Sequence, residues 1–178
     1  KVFVAATYSD DIRPCPVISI RPMVTAGSNS VSSSSVRRAL LDGDVSLASR
    51  LLGYDYSITG EVVAGNKIGR NIGFPTANLK PNSVHKLIPG QGVYASLVKI
   101  NGQVYKGMTN IGYRPTIDAD HLTIEVNIFD FEQDIYNQEL TLTLIQRIRN
   151  EKRFNSLGEL QQQLGNDKIT AGEILAGC

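Results

Sequence analysis

The sequence predicts a mainly β domain, an antiparallel sheet or barrel of short strands, preceded by a small helical hairpin and followed by a C-terminal helix. Three observations carry this. Between residues 57 and 148, β-rich or alternating runs recur with turns between them and no intervening helix. Asn101-Gly102 separates two of these runs, and both residues tolerate the positive φ of a type I′ hairpin turn. Beyond residue 155 the apolar period becomes helical.

Taken in order, residues 1–30 hold two short β-like runs, 2–6 and 17–22, around a turn-rich stretch. The serine run Ser32 to Ser35 offers N-caps for a helix in VRRALLDGD. Asp44 caps a second helix, VSLASRLLG, which stops at Gly53. Residues 34–53 therefore read as a helical hairpin. Strand-like runs follow at 57–64, 92–100, 103–111, 122–131 and 140–148. Pro75 argues against a central strand at residues 74–78, because it fixes φ and removes a donor. Ser156-Leu157-Gly158-Glu159 has the capping-box form, and Leu157, Leu160, Leu164, Ala171 and Leu175 then share one helical face. Gly158, Gly165 and Gly172 weaken that helix by about 1 kcal/mol each, so it must lean on the barrel.

Composition narrows the function classes. The chain has 18 Lys and Arg against 17 Asp and Glu, a formal net charge of +1, and so lacks the summed field of a nucleic-acid or anionic-membrane binder. Cys15 and Cys178 lie near opposite ends with no metal-ligand spacing, and neither His85 nor His121 has any. No apolar run approaches the roughly 18 residues of a membrane span, and the first residues do not read as a secretory signal. A soluble, cytoplasmic protein is expected.

The densest signal is GEVVAGNKIGRNIGFPTANL, residues 60–79. Gly65, Gly69 and Gly73 let backbone approach a ligand and offer N–H groups to phosphate, with Lys67 and Arg70 beside them. This is neither a Walker A loop nor a dinucleotide fingerprint opening a helix. On residues alone, a glycine-rich hairpin connection remains the alternative. Thr76 and Asn78, two apart, share a face in extended backbone and carry hard oxygens of the kind Mg²⁺ accepts. A turn held by their hydrogen bonds is the alternative. Along residues 122–129, Leu122, Ile124, Val126 and Ile128 point one way and Thr123, Glu125, Asn127 and Phe129 the other, which leaves Glu125 outside the core. Tyr94, Tyr105 and Tyr113 either stack on a ligand ring or pack.

GFPTAN, preceded by Gly-x-x-x-Gly-Arg from Gly65 to Arg70, resembles the signature of riboflavin kinases, above all the kinase half of the bacterial bifunctional riboflavin kinase/FAD synthetases. GVYAS at 92–96, MTNIGYRPTI at 108–117, TIEVNIFDF at 123–131, DIYNQEL at 134–140 and RNEKRFNSL at 149–157 follow in family order, so the resemblance covers roughly residues 56–175. It implies a small closed barrel that phosphorylates riboflavin to FMN with ATP and Mg²⁺, releasing ADP. It implies that Glu125 activates the ribityl 5′-hydroxyl and that Thr76 and Asn78 meet Mg²⁺ and the phosphates. Gly65, Lys67, Gly69, Arg70 and Pro75 would belong to the nucleotide side. Residues 110–116, with Asn110, Arg114 and Thr116, would form a loop near both substrates, and Arg149 would serve the flavin.

VSSSSVR, residues 31–37, resembles the motif that closes the adenylyltransferase half of those enzymes, with Ser34 in place of the usual threonine. No histidine precedes residue 85, so the HxGH-type motif of that half is not among these residues. Residues 1–54 thus read as a remnant of that half with a helical linker, and 55–178 as the kinase domain. Residues 1–50 are expected to be dispensable for the kinase unless their helices cover an apolar barrel face. The rival readings are a non-catalytic flavin-binding barrel, against which Thr76, Asn78 and Glu125 speak, and a nucleic-acid-binding barrel, against which the neutral charge speaks.

Overall fold

The computed structural model describes residues 31–65, 68–115 and 120–177; the expected runs at 2–6 and 17–22 lie outside the described residues. Ser32 caps helix α1 (Ser33–Leu41): its hydroxyl accepts from the Ser35 N–H, and the Ser35 hydroxyl accepts from the Ser32 N–H, each at 3.1 Å. Helix α2 (Val45–Leu52) starts at Asp44, whose carboxylate accepts from the Leu47 N–H at 2.8 Å. It stops at Gly53, where φ is +80°. The predicted hairpin is present.

Six antiparallel strands follow: β1 (Ser57–Val63), β2 (Ala77–Pro81), β3 (Gly92–Ile100), β4 (Gln103–Pro115), β5 (Asp120–Ile128) and β6 (Glu139–Arg149). They close in the order β1-β2-β5-β4-β3-β6. Asn101 and Gly102 take φ of +50° and +80° and turn β3 into β4, with Ile100 opposite Gln103.

Three departures from the sequence reading lie beside the glycine-rich segment. Strand β2 was not expected, yet it pairs on both sides; Pro75 stands just before it, so the missing N–H removes no rung. A one-turn helix, α3 (Ile68–Asn71), interrupts what reads as loop, and the chain leaves it through Gly73 at φ +82°. The segment expected as a loop at 110–116 is strand as far as Pro115, paired residue by residue with β5. Glycine and proline within it hide a strand that long-range pairing enforces.

Alternation divides the barrel into two cores. The interior holds Ile58, Val62, Leu79, Tyr94, Val98, Ile111, Ile124, Val126, Leu142 and Leu144. Ala39, Leu40, Val45 and Ala48 of the hairpin belong to the same cluster, so the hairpin covers an apolar barrel face. Polar pins fix it: the Gly90 N–H donates to Leu40 O at 2.9 Å, Ser46 Oγ to Ile145 O at 3.0 Å, and Arg147 to the carbonyls of Asp42 and Gln91. The proviso on dispensability therefore applies.

The second core lies outside the barrel, where Ala171 and Leu175 meet Ala95 and Met108, flanked by Phe74, Phe129 and Leu164. Helix α4 (Leu157–Ile174) supplies most of it. Ser156 accepts from the Glu159 N–H at 3.2 Å, as expected, but the Glu159 carboxylate accepts from the Asn155 N–H at 3.1 Å rather than closing a box on Ser156. Leu157, expected on the packed face, is 61% exposed because the helix begins before it reaches the barrel. Among the described residues no helix is long and apolar enough to cross a membrane.

Candidate functional site

One register row gathers the polar candidates. Asn78 on β2 stands opposite Glu125 on β5, which stands opposite Asn110 on β4; the row continues through Val93 on β3 to Arg149 on β6. Directly opposed residues share a face. Their sequence neighbours Ala77, Val126 and Thr109 take the inward positions, so Asn78, Glu125 and Asn110 face outward. Glu125 is half-buried there. Residues 47 positions apart in the chain, 78 and 125, become neighbours only through this pairing.

Below Asn78 lies Gly65. A Cβ at position 65 would come within 2.6 Å of the Asn78 Cγ, so the carboxamide rests directly on glycine backbone. Gly69 closes the next turn: its carbonyl accepts from the N–H groups of Ile72 and Phe74 at 3.2 and 2.8 Å, and a side chain there would strike the Phe74 carbonyl. These two glycines shape the segment that leads into Pro75 and Thr76.

Arg70, Pro75 and Thr76 line one wall of a cleft of roughly 270 Å³, near the lower end for a small-molecule site. Its floor is apolar, with Val62, Val126, Ile128 and Ile135, and its far rim is the 131–136 segment with Glu132 and Asp134. Among the described residues no group of three His, Cys, Asp or Glu is placed to hold a metal.

Other candidates fall elsewhere. The Arg149 guanidinium is held by Asp167 of α4, with Nε at 2.9 and 3.0 Å and Nη2 at 2.7 Å from its carboxylate oxygens. Asp167 is 1% exposed and also accepts from Gln163 at 2.9 Å. Arg149 thus ties the end of β6 to α4. Arg114 lies on β4 opposite His121 in the backbone register, while Lys67 and Thr116 lie outside the described residues. Tyr94 is buried and donates to the Gly90 carbonyl; burial raises its hydroxyl pKa, and Arg147 opposes that shift. Tyr105 meets Phe131 edge-on at 5.0 Å, and Tyr113 is exposed.

Two features had no role in the sequence reading. The 131–136 segment joins two quoted motifs, with Glu132 and Gln133 in neither, and only the fold shows it as the rim of the cleft. Asn127 donates to the Pro75 carbonyl at 2.7 Å; its place two residues beyond Glu125 on the same strand face was the available signal.

Comparison with known proteins follows the same segments. A family model described as riboflavin kinase (Flavokinase) matches residues 52–175. The bifunctional riboflavin kinase/FMN adenylyltransferase of Bacillus subtilis is 42% identical over 168 residues, 93% of this chain and 53% of that protein. The protein of the same description from Escherichia coli is 41% identical over 145 residues, 81% of this chain and 46% of its own. A crystal structure described as a macrolide-efflux protein from Streptococcus pneumoniae has a TM-score of 0.80 at 39% identity, over 85% of this chain and 49% of that one. The chain spans about half the length of the curated relatives it matches.

Proposed function

The chain belongs to the riboflavin kinase family, and from that premise we propose that its barrel transfers the γ-phosphate of ATP to the 5′-hydroxyl of riboflavin, giving FMN and ADP. The observation that carries the reading is the outward row Asn78–Glu125–Asn110, which sets a carboxylate beside a phosphate-side ligand on adjoining strands.

In this reading Glu125 accepts the proton of the primary alcohol as its oxygen attacks the γ-phosphorus, while the bond from that phosphorus to the β,γ-bridging oxygen breaks. Thr76 and Asn78 face the phosphates. The backbone around Gly65 and Gly69, with Lys67 and Arg70, neutralises and encloses them. The cleft between Pro75 and the 131–136 segment lies on the nucleotide side, and its apolar floor suits a base. Asn110 marks the flavin side of the row, and Arg114 and Thr116 are assigned to the flavin with it. Arg149 contributes there through α4, since Asp167 engages its guanidinium.

The residues fit a magnesium ion shared with the nucleotide. Thr76 and Asn78 offer neutral hard oxygens, and the Asn78 carboxamide is held in place by its seat on Gly65. Two such donors suit an ion that takes its remaining ligands from phosphate and water. When bound, the ion neutralises charge on the transferring group. A cytoplasmic setting accords with a need for ATP and free Mg²⁺. The relatives' second activity, adenylyl transfer to FMN, is not part of the proposal for these residues.

The purified chain should convert riboflavin to FMN when given ATP and Mg²⁺, followed by chromatography of the flavins. No FMN from a folded sample would sink the proposal.

A further inference from the structure

Asn127 stands two residues beyond Glu125 on β5, so both side chains project from the outer face of the barrel. It is 6% exposed. A carboxamide this buried incurs a large desolvation penalty unless it is hydrogen-bonded. Its Nδ2 donates to the carbonyl of Pro75 at 2.7 Å, in the short segment between α3 and β2.

The bond falls where the sheet stops. The ladder between β2 and β5 consists of the pairs Ala77–Val126 and Asn78–Glu125. Pro75 and Thr76 precede the strand, and proline has no N–H with which to extend the ladder. The side chain of Asn127 takes the place of the next rung. Thr76 is therefore fixed from both directions by β5: on one side Asn127 holds the Pro75 carbonyl, on the other Val126 pairs with Ala77.

We infer that Asn127 is a positioning residue that sets Thr76 relative to Glu125. The strand that bears the carboxylate thereby also fixes where the phosphate-side hydroxyl stands. This rests on the kinase reading above. A 1 Å error between groups acting on one phosphoryl transfer is enough to matter, because such catalysis is almost wholly positioning and charge.

The test uses the intact chain. Asn127→Leu keeps the branching and the number of heavy atoms and removes the donor; Asn127→His keeps a ring N–H at similar reach. Asn127→Leu should raise KM for Mg·ATP about tenfold, the size of one buried hydrogen bond left unmade. Riboflavin affinity measured without nucleotide should be unchanged, and Asn127→His should recover most of the loss. The Thr76 amide shares its peptide unit with the Pro75 carbonyl, so its ¹⁵N–¹H resonance should move in Asn127→Leu and return towards its original position in Asn127→His. An unchanged KM and an unmoved Thr76 resonance in the leucine variant would overturn the inference. A variant that merely melts earlier, or a histidine variant no better than leucine, overturns it equally. Should Asn127→Leu not fold, Asn127→Ser, whose hydroxyl is too short to reach, is read in the same way. The unmodified chain is assayed first. If it makes no FMN the kinase reading fails, and the Thr76 resonance still decides whether Asn127 positions the segment.

Discussion

The two faces of β2, β5 and β4 differ by one residue step and serve different ends. Inward, Leu79, Ile124, Val126, Thr109 and Ile111 are buried in the barrel's interior, which opens at one end where Val62, Val126 and Ile128 floor the cleft. Outward, Asn78, Glu125, Asn127 and Asn110 line a polar strip that α4 covers only at one end, where Met108 and Phe129 join the second core. The strand period of two makes this division strict: a slip of one residue would exchange the sets. The packed residues and those proposed for the chemistry thus alternate along the same strands, and substitutions can separate them.

The largest effect should come from Ile124→Ala, which empties part of the interior. Unfolding in denaturant should show a loss of about 2–5 kcal/mol, while kcat per folded molecule stays near wild type. Its neighbour Glu125→Gln should do the reverse. Turnover should fall about 10²-fold or more, close to 2.7 kcal/mol on the barrier, with nucleotide affinity nearly intact in a direct binding titration. Near wild-type turnover would remove Glu125 from the mechanism. Next, Thr76→Ala and Asn78→Ala should each raise KM for Mg·ATP about tenfold and leave riboflavin binding without nucleotide unaltered. Equal loss of both, with a collapsed folded spectrum, would return these two residues to a purely structural turn. The smallest effect is expected for Gly65→Ala, whose methyl group displaces the Asn78 carboxamide: about 1 kcal/mol of stability and a smaller rise in KM than Asn78→Ala gives.

Local signals made most of the fold legible. Asp44, Gly53, Asn101-Gly102 and Ser156 sit at element ends because their own backbone or side-chain chemistry demands it, and each marks the expected boundary. Strand β2 escaped because five residues that end in Pro81 and closely follow Pro75 carry no period, and pairing on both sides defines it instead. Thr76, Asn78 and Glu125 were visible through motif resemblance. That 78 and 125 oppose each other was not, because strand pairing across the chain leaves no trace in either motif. The tie between Arg149 and Asp167 was hidden for the same reason: a lone arginine and a helical aspartate reveal themselves as partners only once α4 is docked.

A closed barrel has no edge strand, and that removes the usual invitation to pair with another chain. Its seams are unequal, however. The one between β2 and β5 has the fewest rungs, and it is the seam that Asn78 and Glu125 straddle. A ligand that touches both residues therefore also staples the barrel at its thinnest join. Occupancy and closure become linked quantities: at a hundred times its Kd, such a ligand would add about 2.7 kcal/mol against opening there. The polar strip would then also be the clasp of the barrel, drawn shut by what it binds.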